Sequence, residues 1–217
     1  SIDQVAGDDV VNAAEKAAGV TVSGTTSAAA GQTVTVLWGT SSKTATVEAG
    51  AGGLNTWRVG FASSEVPADA SVSTLSASVR DAGGNSASAT HATRIDSTAP
   101  TLAIDAVTGD DVLSTAERSA GVTVTGQTSA EAGQSVAVNW GGVSKSATVL
   151  AGSAGANTWS VAFASAELPS AGTSTTTSTI TAQVQDSAGN PAPLASRSVT
   201  LQASSTVPGG GGTTTPP

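Results

Sequence analysis

The chain has no cysteine, methionine or tyrosine, and only four Trp and two Phe among 217 residues. Without cysteine there are no disulfides and no thiolate metal sites, so stability falls to a core or to hard cations held by oxygen. An aromatic content of 3% in a chain dominated by Ala, Val, Thr, Ser and Gly suits thin β-layers better than a deep enzyme pocket. Basic residues are also few. Eight Lys and Arg face sixteen Asp and Glu, giving a net charge of −8, and no basic run is present to neutralise phosphates. This argues against nucleic acid as a partner. No apolar run approaches the roughly 18 residues that suggest a membrane span. With no Met at all, Ser1 reads as the start of a fragment or of a processed chain.

What is present is repetition. Ile2-Asp3-Gln4-Val5-Ala6-Gly7-Asp8-Asp9-Val10, with Ala14-Glu15, returns 102 residues later as Ile104-Asp105-Ala106-Val107-Thr108-Gly109-Asp110-Asp111-Val112, with Ala116-Glu117. A duplication at the spacing of one small domain divides the chain. The boundaries expected are 1–95 and 102–203 for the two domains. Residues 96–101 form a short linker stiffened by Pro100, and 204–217 a Gly/Thr/Pro-rich flexible tail.

Within each copy the periodicity is that of strands. Val20 and Val22 alternate with polar neighbours, as do Val34, Val36 and Trp38, then Ala45 and Val47, then Trp57, Val59 and Phe61, then Leu75, Ala77 and Val79. Residues 39–42 read as a hairpin connection, 81–85 as a tight turn, and 87–95 as the last strand, while 13–18 has room for one helical turn. The second copy repeats these positions. Its offset grows from 102 to 105 after Pro169, which places a three-residue insertion around 171–178. The fold class is all-β: two tandem immunoglobulin-like antiparallel β-sandwiches of about seven strands each. Its core is Val20, Val22, Val34, Val36, Trp38, Trp57, Val59, Phe61, Leu75, Ala77 and Val79 with their counterparts.

Nine of the ten Asp residues sit at the start of each copy, in the linker or in the late turns, and only Asp69 lies elsewhere. The first strand carries the loop with Asp8 and Asp9 to the pole from which the chain leaves the domain. Asp8, Asp9, Glu15 and linker Asp96 are therefore expected close to Asp186 and Asn190 of the second copy. Carboxylates so gathered repel one another unless neutralised, and Ca2+, with six to eight oxygen ligands, tolerates irregular sets of this kind. The competing reading is structural: Asp and Asn are ordinary turn residues, and no EF-hand spacing is present.

Other candidates are weaker. His91, the single histidine, has no apparent counterpart in the second copy and reads as a solvated strand residue. Glu65 and Glu167 recur just before Pro67 and Pro169, which fits a surface or capping role, and the Trp residues alternate with Val as core residues do. Residues 50–53 lack the Lys and following helix of a phosphate loop. No catalytic constellation emerges, so the chain reads as non-enzymatic.

Taken together, Ile-Asp-x-Val-x-Gly-Asp-Asp-Val, Ala-Glu, Gly-Val-Thr-Val, Asn-Thr-Trp, Asp-x-x-Gly-Asn and Asp-Ser-Thr-Ala-Pro resemble the bacterial Ig-like repeats of giant surface adhesins and biofilm-associated proteins of Gram-negative bacteria. The resemblance spans residues 1 to about 203. It implies export by type I secretion to the cell surface, an extender role within an array of neighbouring repeats of the same chain, and junctions stiffened by Ca2+. Under it, Asp8, Asp9, Glu15 and Asp96, with Asp105, Asp110, Asp111 and Glu117 in the second copy, match acidic positions near junction metals. Trp38 and Trp140, each followed by Gly, and the four-glycine tail depart from the pattern. A module that binds a glycan or host protein remains the alternative. The net charge argues for a monomer.

Overall fold

The computed structural model describes residues 1–153 and 156–204. Two compact units are present: Ser1–Ala99 together with Ser187–Asn190, and Pro100–Asp186 together with the chain from Pro191 on. The tail expected over 204–217 lies outside the described residues except for Ser204.

In the first unit the strands are β1 (Val10–Val11), β2 (Val20–Thr26), β3 (Thr33–Trp38), β4 (Ser41–Thr46), β5 (Asn55–Phe61), β6 (Ala70–Arg80) and β7 (Ser86–Ile95), with one short helix, α1 (Ala13–Ala18). One sheet runs β1-β7-β6-β3-β4 and the other pairs β2 with β5. Only β1 against β7 is parallel, Val10 opposite Arg94 and Val11 opposite Ile95. Strict alternation of Val with Thr in β3 buries Val34, Val36 and Trp38 and leaves Thr33, Thr35 and Leu37 outside, as a pleated half-buried strand requires. Trp38 is wholly buried, meets Phe61 edge-on at 5.4 Å and donates its indole N–H to Ser73 Oγ at 2.9 Å. The indoles are core, as their alternation implied. Of the expected core, Val59 and Val79 are only half-buried and pack at its margin. The hairpin after β3 is tighter than expected, since β4 resumes at Ser41.

Gly24 is required by close approach. A Cβ there would lie 2.1 Å from Ser1 O and 2.5 Å from the Trp57 ring, because the indole lies across the strand. Gly126 is in the same position against Ala103 O and Trp159.

The second unit repeats the plan with β8 (Leu102–Ile104), β9 (Val112–Leu113), α2 (Thr115–Ala120), β10 (Val122–Thr128), β11 (Ser135–Trp140), β12 (Val143–Thr148), β13 (Asn157–Phe163), β14 (Thr176–Gln183) and β15 (Ala195–Leu201). Its sheets are β12-β11-β14-β15-β9 and β13-β10-β8. The inserted residues lie between the 3-10 turn Ser165–Glu167 and β14. Both units are all-β immunoglobulin-like sandwiches.

Candidate functional site

The acidic loop is closed on itself. Asp9 N–H donates to Val5 O at 2.8 Å, and Val5 N–H donates to Asp9 Oδ1 at 2.8 Å, so a carboxylate substitutes for one half of a backbone bridge. Val5 is buried and anchors the loop to the core. Ala6, Gly7 and Asp9 have φ of 57°, 100° and 65°. Gly takes such angles freely and Asp tolerates them, whereas at Ala6 the left-handed conformation is strained. Asp8 Oδ1 accepts from Val10 N–H at 2.9 Å, an Asx turn that delivers the chain into β1.

The second copy reproduces each step. Asp111 N–H donates to Val107 O at 2.9 Å and Asp111 Oδ1 accepts from Val107 N–H at 3.0 Å. Asp110 Oδ1 accepts from Val112 N–H at 3.0 Å, and φ is 55°, 96° and 62° at Thr108, Gly109 and Asp111. Asp105 binds β10, accepting from Thr125 Oγ1 at 2.9 Å.

Asp9 and Asp111 each also meet a basic side chain from the last strand of their unit. His91 Nε2 lies 2.6 Å from Asp9 Oδ1. Arg197 donates Nε to Asp111 Oδ1 at 2.6 Å and Nη2 to Oδ2 at 2.5 Å, and Nη1 to Ile104 O at 3.0 Å. Desolvation works to raise the Asp9 pKa, but the hydrogen bonds from His91 and Val5 and the His91 charge outweigh it, and the net shift is downward. For Asp111 the Arg197 hydrogen bonds dominate and lower it, and the same bonds raise Arg197.

His91 is thus no simple solvated residue, and it has a counterpart. Val10 pairs with Arg94 and Val112 with Thr200, so His91 answers to Arg197. One extra residue before β15 shifts the offset from 105 to 106 and hides the match.

Glu15 and Glu117 cap helices. Glu15 Oε2 accepts from Asn12 N–H at 2.9 Å while Asn12 Oδ1 accepts from Glu15 N–H at 3.0 Å, and Glu117 does the same with Ser114. These are capping boxes, with the spacing Asn-x-x-Glu and Ser-x-x-Glu visible in the sequence. Glu65 and Glu167 accept from Ala62 and Ala164 N–H at 2.7 Å and pair with Lys43 and Lys145, in keeping with the capping role expected.

Within the first unit, Asp96 extends β7. Its N–H donates to Val11 O at 3.0 Å, and its carboxylate pairs with Arg94 and accepts from Thr98 N–H at 3.3 Å. Asn190, also of this unit, accepts from Ala13 N–H at 2.7 Å and donates to Asp96 O at 2.8 Å, so it bridges the end of β7 and the start of α1. Asp186 belongs to the second unit, where it is buried.

Asp69 is a residue whose role the sequence did not reveal. It accepts from Ser97 N–H at 2.9 Å, Ser97 Oγ at 2.5 Å, Thr98 Oγ1 at 2.8 Å and Lys16 Nζ at 3.4 Å. Desolvation raises its pKa, but these bonds prevail and hold it at about 2. Asp69 therefore fastens the segment that leaves β7.

Carboxylate and carbonyl oxygens are the donors that Ca2+ takes, and in chemistry the set fits that ion. Among the described residues, however, no three His, Cys, Asp or Glu side chains converge as a cage. Asp9, Asp96 and Asp111 are instead paired with His91, Arg94 and Arg197.

Fold and loop define the class: tandem immunoglobulin-like sandwiches. The chain is similar over 94% of its length to a 1.5-MDa bacterial ice-binding adhesin studied for its host cell surface retention, with 26% identity and a TM-score of 0.53. Over 93% it is similar to a Ca2+-stabilized adhesin that helps an Antarctic bacterium reach out and bind ice, with 29% identity and a TM-score of 0.52. It spans 64% and 48% of those two chains. A single immunoglobulin-like domain of the M. primoryensis ice-binding adhesin matches 49% of the chain at 26% identity, with a TM-score of 0.35. No family model matches the chain, nor does any curated protein. The first two of these neighbours are bacterial adhesins, in agreement with the resemblance to giant surface adhesin repeats.

Proposed function

We propose that the chain is a pair of non-enzymatic extender repeats in a bacterial cell-surface adhesin, whose task is to carry a distant binding region away from the cell. The observation that carries this is the duplication of one scaffold: the same buried Trp and Phe pair and the same self-closed acidic loop recur in both units. Similarity over nearly the whole chain to two adhesins supports it. The division into domains 1–95 and 102–203 with a linker at 96–101, secretion by a type I system, surface location, support of biofilm formation and a monomeric state belong to the same proposal.

Stiffening by Ca2+ is its finer part. The ligands would come from Asp8, Asp9, Glu15, Asp96, Asp186 and Asn190, and in the second copy from Asp105, Asp110, Asp111 and Glu117. Hard oxygen donors favour the ion, and at Asp96 it would compete with Arg94. Small-angle scattering tests this: the maximum dimension should be longer and better defined in Ca2+ than in chelator, and identical curves would refute it. Attachment assays test the extender role. The purified pair should bind neither glycan arrays nor host cells, and saturable binding retained by one unit would favour the binding-module reading instead.

A further inference from the structure

In each sandwich the two sheets end on neighbouring edge strands, β4 and β5 in the first unit, β12 and β13 in the second. The main-chain groups that face away from the sheet belong to alternate residues of an edge strand. On β5, Thr56 spends both of its own on Glu48, whose N–H donates to Thr56 O at 2.8 Å and whose O accepts from Thr56 N–H at 3.0 Å. At the far end of the same edge, Gly60 O accepts from Lys43 Nζ at 2.8 Å. β13 repeats the arrangement: Thr158 pairs with Leu150 at 2.8 and 3.0 Å, and Ala162 O accepts from Lys145 Nζ at 2.8 Å. Between these fastened ends, Arg58 and Ser160 face outward with no such bond among the described residues.

The lysines reach these carbonyls because they point inward. Lys43 stands opposite buried Val36 and Lys145 opposite buried Val138, and each shares its face with a buried alanine two residues on, Ala45 or Ala147. The ammonium therefore sits at the mouth of the sandwich, 5.7 Å from the Phe61 ring in the first unit and 5.3 Å from the Phe163 ring in the second. There it pairs with Glu65 at 2.5 Å or Glu167 at 2.6 Å, and the lysine side chains stay 30% and 28% exposed. A strand laid along this margin would strip the ammonium of its water without bringing a new counter-charge. An inward-pointing charge is one of the devices by which edge strands avoid pairing with other chains.

We infer that Lys145 and Lys43 are edge guards, which keep β13 and β5 from pairing with the same strand of a second copy of the chain. The guarded edge fits that occupant. An antiparallel pair of β13 strands about a twofold axis at Val161 would set Ser160 opposite Ala162 twice, with four main-chain bonds and no need of Thr158. Those bonds require the Ala162 oxygen that Lys145 holds. β13 carries no charged residue, whereas the same pairing of β5 would bring two Arg58 side chains diagonally near one another. Lys145 is therefore the more important guard. The inference deepens the extender reading, since copies joined side by side through their edges would gain no reach.

Sedimentation of the full chain over a range of concentrations tests this. Lys145→Met keeps an apolar stem over Phe163 and removes the donor. It should self-associate with a dissociation constant at least about tenfold below that of the wild type, the scale of one charged hydrogen bond. Lys43→Met should shift it less, and Lys145→Arg should behave as the wild type does. Adding Ser160→Pro to Lys145→Met removes an outward N–H while leaving the bonds to β10 in place, and should return the chain to wild-type behaviour. Equal association of Lys145→Met and the wild type would overturn the guard, as would association that Ser160→Pro leaves intact. Loss of the second unit's unfolding transition in Lys145→Met would overturn it as well, because the lysine would then serve its own sandwich rather than exclude a partner. Failure of the guard would leave the extender reading standing, because that reading is judged by attachment and reach.

Discussion

The two acidic loops have one backbone and two different locks. Asp9 is held by the ring of His91, whereas Asp111 is held by Nε and Nη2 of Arg197, whose Nη1 also reaches Ile104 O. A guanidinium matches a carboxylate with two parallel bonds and stays charged, while an imidazole offers one contact and changes charge with pH. The two copies share a side-chain partner for this carboxylate but not the residue that supplies it. A second difference lies at the exit of each sandwich. Asp69 fastens Ser97 and Thr98 in the first unit; Ala171 stands at the matching position of the second, where Ser204 N–H donates to Gly172 O at 2.9 Å instead.

The largest expected effect tests what the units share. Trp38→Ala and Trp140→Ala should each destabilise their own unit by about 3–5 kcal/mol, as for other buried Trp truncations. Denaturant unfolding followed by the three remaining indoles would detect this as an earlier transition of the altered unit, and a large inequality between the two variants would break the equivalence of the cores. Next come the locks. Arg197→Ala should cost about 1–2 kcal/mol and His91→Ala about 0.5–1 kcal/mol, since one removes a bidentate charged contact and the other a single one, both half-exposed. Reversal of that order would contradict the account. His91→Arg should bring the first unit closer to the second, raising its stability by about 0.5 kcal/mol, provided the arginine reaches Asp9 as Arg197 reaches Asp111.

Acid separates the units more gently. Asp69 has a folded pKa of about 2 against an ordinary 3.8. Its contribution is therefore complete above 3.8 and is lost as pH falls toward about 2. Between those values the Ser97 amide should lose exchange protection in the wild type. In Asp69→Asn protection should be low throughout, with no such pH step. The second unit has no equivalent step at this site.

The sandwich was legible in the sequence because β2, β3 and β5 and their counterparts β10, β11 and β13 carry period-two alternation of Val or Trp with polar or small residues, and that pattern reports burial directly. The helical turn at 13–18, the core Trp residues and the three-residue insertion were legible for similar reasons. What lies far apart in sequence was harder to see. Asp9 and His91 are 82 residues apart, and the single-residue insertion before β15 moved Arg197 out of register with His91. Asp69 seemed isolated because its partners follow 28 and 29 residues later. Glu15 and Glu117 carried a readable local signal, the capping-box spacing, which competes with a ligand role for the same carboxylates.

Stretching single molecules of the pair between two handles tests the extender account most directly. Two independently folded repeats should give two separate unfolding events, each releasing about 30 nm for some 90 residues at 3.3–3.6 Å apiece. A single event releasing the length of both, or smooth extension without events, would contradict the account.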